Sequence, residues 1–255
     1  MNHQYLLAVF FLCISCKTNN NEINNRLKDF AQPPPAPEQI KNIPLPGGYE
    51  RTKLEENSFG EWLRNIQLKK DDHVYLYNGS LKKNQLAQFT VLDIPVGKKD
   101  LQQCADAVMR LRAEYLFDEK RFDEIVFKDN NDRPYAWNGG NNKNNFVVYL
   151  EKVFGYCGTA SLEKQLKPVD MLLMQPGYVF IKGGFPGHAM IVIDMAVNKK
   201  GKKIFMLAQS YMPAQDIHVV INPVNEKISP WYELDSNSEI VTPEWRFYSN
   251  QLRRF

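Results

Sequence analysis

The sequence predicts an α+β fold, on three observations. One long helical stripe occupies the middle of the chain, the C-terminal part carries four closely spaced runs of branched and apolar residues, and helices and strands do not alternate in the regular repeat of a doubly wound sheet. With 255 residues, 44% hydrophobic and 24% charged, the chain has enough apolar material for one sizeable core and falls outside the disordered class. The net charge of +3 arises from 32 basic and 29 acidic residues spread along the chain, with no basic block, so nucleic acid is a poor candidate partner.

At the N-terminus, Tyr5 to Ile14 is an apolar run too short to span a bilayer and the right size for a signal-peptide core. Ser15 precedes Cys16 as a small residue precedes the cysteine of a lipoprotein box. The expected organisation is a lipoprotein signal peptide over 1–15, lipid attachment at Cys16, a flexible Asn/Pro-rich tether over 16–42, and one α+β domain over 43–255. The expected location is the cell envelope, as an exported periplasmic or outer-membrane-anchored lipoprotein that meets the membrane only through its lipid. The segment before the apolar run carries His3 but no Lys or Arg, which departs from the usual positive leader.

Within the domain, Ser58 to Ile66 reads as a short helix and Val74 to Tyr77 and Phe89 to Ile94 as strands. Asp100 to Phe117 reads as the longest helix, because Leu101, Cys104, Ala105, Val108, Leu111 and Tyr115 share one helical face. Asp100 is the expected N-cap, with Gln103 at its third position. A strand at Ile125 to Phe127, a Gly/Asn-rich loop around Trp137 to Asn145 and a helix from Phe146 to Phe154 follow. Val179 to Lys182, Ala189 to Val197, Ile204 to Gln209 and Ile217 to Ile221 are expected to form one antiparallel sheet, with the clearest hairpin turn at Asn198 to Lys203.

The densest chemical signal is PGYVFIKGGFPGHAMIVIDMA, Pro176 to Ala196. His188 opens an apolar strand there, and Gly187 before it leaves room for a close approach. An imidazole fixed by a buried strand and open at its mouth suits a general base; hydrogen-bonded capping of the strand is the alternative use. This segment resembles the strand pair of NlpC-type papain-like cysteine peptidases, which cut peptidoglycan stem peptides, although Tyr178 stands where that family has Asp. Thr159, Ala160 and Ser161 resemble the Thr-Ser stretch that precedes the strand pair. Over Cys104 to Gln209 the chain also resembles a domain-of-unknown-function family of bacterial lipoproteins, in segments such as CADAVMRLRAEYL and LAQSYMPAQ; that resemblance implies no activity.

The papain-like resemblance implies an antiparallel sheet packed on a helix whose N-terminus carries a nucleophilic thiol, because the helix dipole and a nearby imidazole both favour thiolate. Cys104, in QCADAVMRL, matches the place of that family's nucleophile helix. Cys157, in GYCGTASL, is the second candidate. Two other uses remain open for these residues: inert buried thiols, or a disulfide between them in an oxidising compartment. Folding the hairpin about Lys200 and Gly201 places Gln209 and Tyr211 on the face of His188, and the family carries its third, ring-orienting residue on this strand. Gln209 is the choice, ahead of Asp194.

The expected function is a thiol hydrolase or transferase acting on an amide bond of peptidoglycan or another envelope component, with Cys104, His188 and Gln209 as its triad and no cofactor. The competing expectation is a non-catalytic envelope lipoprotein of the same fold that binds through the Gly/Asn loop and the rings of Trp137, Trp231, Tyr232 and Trp245. No histidine pair stands at metal-ligand spacing with a third donor, so no metal site is expected.

Overall fold

Strand β5 (His188–Asn198) organises the computed structural model, which describes residues 36–235 and 239–255. Its sequence alternates between two apolar sets, as a strand buried on both faces must. Ala189, Ile191 and Ile193 face a helical layer, while Met190 and Val192 face a second core on the other side. A register shift between Val192 and Asp194 interrupts the alternation. Such a bulge adds a residue to one strand and resets which side chains point where.

The strands around β5 are β1 (Tyr49–Arg51), β2 (Gln88–Val91), β3 (Lys167–Pro168), β4 (Val179–Lys182), β6 (Lys203–Gln209), β7 (His218–Val220), β8 (Tyr232–Glu233) and β9 (Leu252–Arg254). The sheet runs β2-β7-β6-β5-β4-β9-β3, with β1 added to the far end of β5 and β8 to β6. All its pairs are antiparallel. The four C-terminal strands expected from the sequence are neighbours in it, and Gly201, with φ of +78°, makes the β5–β6 turn. The edge strand β3 and its neighbour β9 were not expected. Each has three residues or fewer, and each pairs only with segments far away in the sequence, so neither shows a local period.

Among the described residues four α-helices accompany the sheet: α1 (Phe59–Arg64), α2 (Cys104–Asp118), α3 (Lys143–Tyr156) and α4 (Thr159–Gln165). Ser58 caps α1 by accepting the Glu61 N–H, as a serine before an apolar turn should. Helix α2 is central, with Ala105, Val108, Met109, Leu111 and Leu116 buried in the same core as the helical-side residues of β5. The opposite sheet face is covered by Met171 and Met174 and by a small hairpin, Ile240–Val241 with Arg246–Phe247. Burial on both faces explains why β5 reads as nearly continuous apolar sequence.

Three expectations change. Val74 to Tyr77 is no strand: only isolated bridges, Tyr75 with Leu81 and Leu76 with Gln215, form there. Side chains take the backbone donors instead, Gln85 accepting from Val74 and Asp216 from Tyr75. Helix α2 begins at Cys104 rather than Asp100. Asp106 accepts the Gln103 N–H at 2.9 Å and makes Gln103 the N-cap, while Asp100 accepts the Ala214 N–H at 2.7 Å. The compact unit extends from Pro37 to Phe255, and Ile40, within the expected tether, is fully buried. The expected signal peptide, Cys16 and the tether up to residue 35 lie outside the described residues. Among the described residues no helix is long and apolar enough to cross a membrane.

Candidate active site

Cys104 is the first residue of a 15-residue helix, where the unpaired backbone N–H groups concentrate positive potential. The residue is nevertheless only 8% exposed, and burial pushes the thiol pKa up to about 11, with Asp106 acting in the same direction. The backbone N–H groups of Ala105, Ala189 and Cys104 itself pull the other way. Ala189 directly follows His188, so the opening of β5 lies against the start of α2.

His188 is 1% exposed at the first position of β5. Gly187 before it is required by space: a Cβ there would lie 2.3 Å from the Gly184 carbonyl oxygen and 2.5 Å from Thr159 Oγ1. The close approach anticipated at this glycine is thus made by the protein itself, as the N-terminus of α4 closes on the 183–187 loop. Around the imidazole stand the rings of Tyr211, Trp245 and Phe247, with centroids 4.8, 5.2 and 5.9 Å away. Burial lowers the His188 pKa to about 4; its bond to Gln209 opposes the shift and the charge of Lys82 adds to it.

The tautomer of His188 follows from a chain of bonds behind it. Lys82 Nζ donates to Glu244 Oε2 at 2.6 Å, and Gln209 Nε2 donates to that same oxygen at 2.9 Å. A carboxylate can only accept, so the amide nitrogen of Gln209 must face Glu244 and its Oε1 must face His188. The His188 Nε2 to Gln209 Oε1 distance is 2.7 Å, and Nε2 therefore carries the proton. Nδ1 is left as a lone pair. The second Gln209 N–H reaches His218 Nε2 at 3.3 Å, which sets His218 as the Nδ1–H tautomer donating to the Asp216 carbonyl at 2.9 Å. Every amide hydrogen of Gln209 is used, and its orientation is fixed.

Cys104, His188, Tyr211, Trp245 and Cys157 line one cavity of about 360 Å³. Gln209 stands behind His188 rather than in the cavity wall. Two buried polar atoms of wall residues, Asp106 Oδ1 and Trp245 Nε1, have no partner among the described residues. Phe185 and Met212 sit on the wall with their side chains largely in solvent.

Cys157 is free, as is Cys104, and the two are not joined as a disulfide. It caps the C-terminus of α3, donating its N–H to the Val153 carbonyl at 2.8 Å. The negative end of a helix disfavours thiolate. Burial, with Asp129 and Asp106 nearby, pushes Cys157 up to about 12. Asp194, the other candidate for orienting the imidazole, is wholly engaged elsewhere, with Arg51 Nε at 2.7 Å and Arg64 Nε at 2.5 Å.

A family model described as Domain of unknown function (4846) matches residues 40–139 and 135–254. The chain belongs to that family. No curated protein and no solved structure matches the chain. Cys104 falls in the first matched stretch of this family member, and His188, Gln209, His218 and Glu244 fall in the second.

Of the aromatic residues considered as a binding surface, Trp137, Trp231 and Tyr232 are buried. Trp137 Nε1 donates to the Gly140 carbonyl, Trp231 Nε1 to that of Pro44, and the Tyr232 hydroxyl to that of Ile221. They anchor loops. Trp245 alone of the four lines the cavity. The sequence reading missed Lys82, Asp106 and Glu244, whose charged side chains look like ordinary surface residues in the linear pattern. Asp71, Asp72 and His73 bring their potential ligand atoms within 4.8 Å of one another in an exposed turn, where Asp71 Oδ1 bonds His73 Nδ1 at 2.6 Å.

Proposed function

We propose that this protein is a thiol-dependent hydrolase or transferase of the cell envelope, acting on an amide bond of peptidoglycan or a similar component, with a papain-like arrangement of Cys104, His188 and Gln209. The observation that carries the reading is the forced tautomer of His188, which leaves Nδ1 free to accept a proton in a cavity that Cys104 also lines. Export and anchoring through lipid on Cys16 belong to the same proposal.

Burial holds the thiol and the imidazole in their neutral forms at rest. Attack therefore proceeds by general-base catalysis. The Cys104 sulfur adds to the carbonyl carbon as its proton passes to His188 Nδ1. The amide C–N bond then breaks, the amine takes that proton, and an acyl thioester remains on Cys104. Water hydrolyses the thioester, or an amine replaces it, with His188 again accepting the incoming proton. The Cys104 backbone N–H stands at the helix start, where it can donate to the developing oxyanion. Trp245 Nε1 and Asp106 Oδ1, unpartnered among the described residues, lie buried in the same wall.

The test is alkylation by iodoacetamide, with the modified residue mapped by mass spectrometry, repeated on His188→Ala. A thiol with a pKa near 11 is a weak nucleophile unless its proton has somewhere to go. Cys104 should react first in the native protein, and the substitution should slow it about 100-fold, the low end of general-base contributions. Equal rates in the two proteins would assign the cavity to binding rather than to chemistry.

A further inference from the structure

The geometry points to a second ligand site, built around Arg112, for a carboxylate or phosphate group that carries an apolar chain. Arg112 lies on α2, eight positions after Cys104 and so roughly 12 Å further along the helix axis. Its guanidinium carbon is 5.3 Å from the ring centroid of Phe59, 5.3 Å from that of Tyr115 and 5.1 Å from that of Phe255. Aromatic faces meet the charge of a guanidinium but offer no lone pair to its five N–H donors.

Those donors make no hydrogen bond and no ion pair with any described residue. Glu124, a carboxylate close enough to influence Arg112, is occupied by both ends of the Arg121 fork at 2.6 Å. Burial disfavours the charge on Arg112, and Arg121 adds to that effect. A half-buried cation with its hydrogen-bonding edge unused gains most from a planar oxyanion that can take two donors at once.

The space for such a ligand is present. Arg112 lines a cavity of about 990 Å³ that shares no lining residue with the Cys104 cavity. Lys53, Lys203 and Arg254 bring further positive charge to its wall, against Glu55 and Asp170. Asp170 already accepts the Leu172 N–H at 2.7 Å with one oxygen. Leu172 and Leu173, side by side on the same wall, are 59% and 63% exposed. Neighbouring exposed leucines on a cavity wall offer a surface for an alkyl chain. A charged head at Arg112 and a chain along the leucines account for both features.

Isothermal titration calorimetry on the full chain tests this with hexyl phosphate, hexanoate, inorganic phosphate and hexanol. One or both hexyl anions should bind, whichever is tighter identifying the head group, while inorganic phosphate and hexanol bind at least tenfold more weakly. Arg112→Gln should weaken the preferred anion tenfold or more, Arg112→Lys should fall between, and Cys104→Ala should bind as the native protein does. The Cys104→Ala arm separates this site from the proposed chemistry. Absence of anion binding to the native chain, equal binding of hexanol, or an Arg112→Gln protein that binds normally overturns the proposal; the first two outcomes need no variant to fold.

Discussion

Strand β5 carries two buried polar residues six positions apart, and they are treated in opposite ways. Asp194 gives both carboxylate oxygens to guanidinium groups, and one of them also to the Met195 N–H at 2.7 Å. The guanidiniums in turn reach the Ile43 carbonyl and Thr52 Oγ1, so the cluster is closed. His188 is held just as firmly on one side by Gln209, yet its other nitrogen is left unprotonated and bonds no described residue. Closed polar clusters fix a fold, whereas a rigidly held group with one vacant valence is equipped to exchange protons. The bulge between Val192 and Asp194 makes the difference possible by turning Asp194 toward Arg64 of α1.

The comparison is sharpened most by Asp194→Ala. Removing the carboxylate strands two partly buried guanidiniums, and the expected loss is about 3 to 5 kcal/mol in urea denaturation. Cys104 alkylation in the folded variant should be unchanged. A matching loss of thiol reactivity would show that the two clusters are not independent.

Acid attacks the other cluster. Burial holds His188 at about 4 and His218 at about 3, against 6.5 for an ordinary imidazole, so the unfolded chain binds more protons than the folded one between those values. Stability is therefore complete above pH 6.5 and falls as the pH drops through the window toward 4, by about 3 kcal/mol for His188 alone. Thermal melts from pH 7 to 4 check this, and His218→Gln should flatten the decline. A melting temperature independent of pH over that range breaks the assignment of neutral imidazoles.

The smallest effect is expected from Glu244→Gln. An amide at 244 can donate as well as accept, so Gln209 loses the partner that fixes its orientation, and His188 becomes a mixture of tautomers. The ¹⁵N shifts of the His188 ring should report the mixture, and Cys104 alkylation should slow roughly tenfold, the equivalent of about 1.4 kcal/mol. Unchanged ring shifts would mean that Glu244 does not set the tautomer.

Much of this architecture is legible in the linear pattern, and the reason is periodicity. Strand β4 shows the expected bounds, and β5 and β6 each extend one residue beyond the expected bounds at one end or both, because alternating burial writes itself directly into composition. The placing of Gln209 on the His188 face also follows from alternation, since β5 and β6 are joined by a short turn. Asp106 and the pair Lys82–Glu244 leave no such trace. They are charged residues whose burial depends on partners 35 to 162 positions away or on an adjacent helix start, and nothing local distinguishes them from solvated ones.

The sequence alone determined the mixed α+β class, the antiparallel pairing of the C-terminal strands and the amphipathic helix that begins near Cys104, all properties of neighbouring residues. Only the tertiary structure decided that Cys157 ends a helix, which nitrogen of His188 is free, and which arginine on α2 goes unpaired among the described residues. Protonation and pairing depend on distances between segments remote in the chain, and those distances exist only after folding.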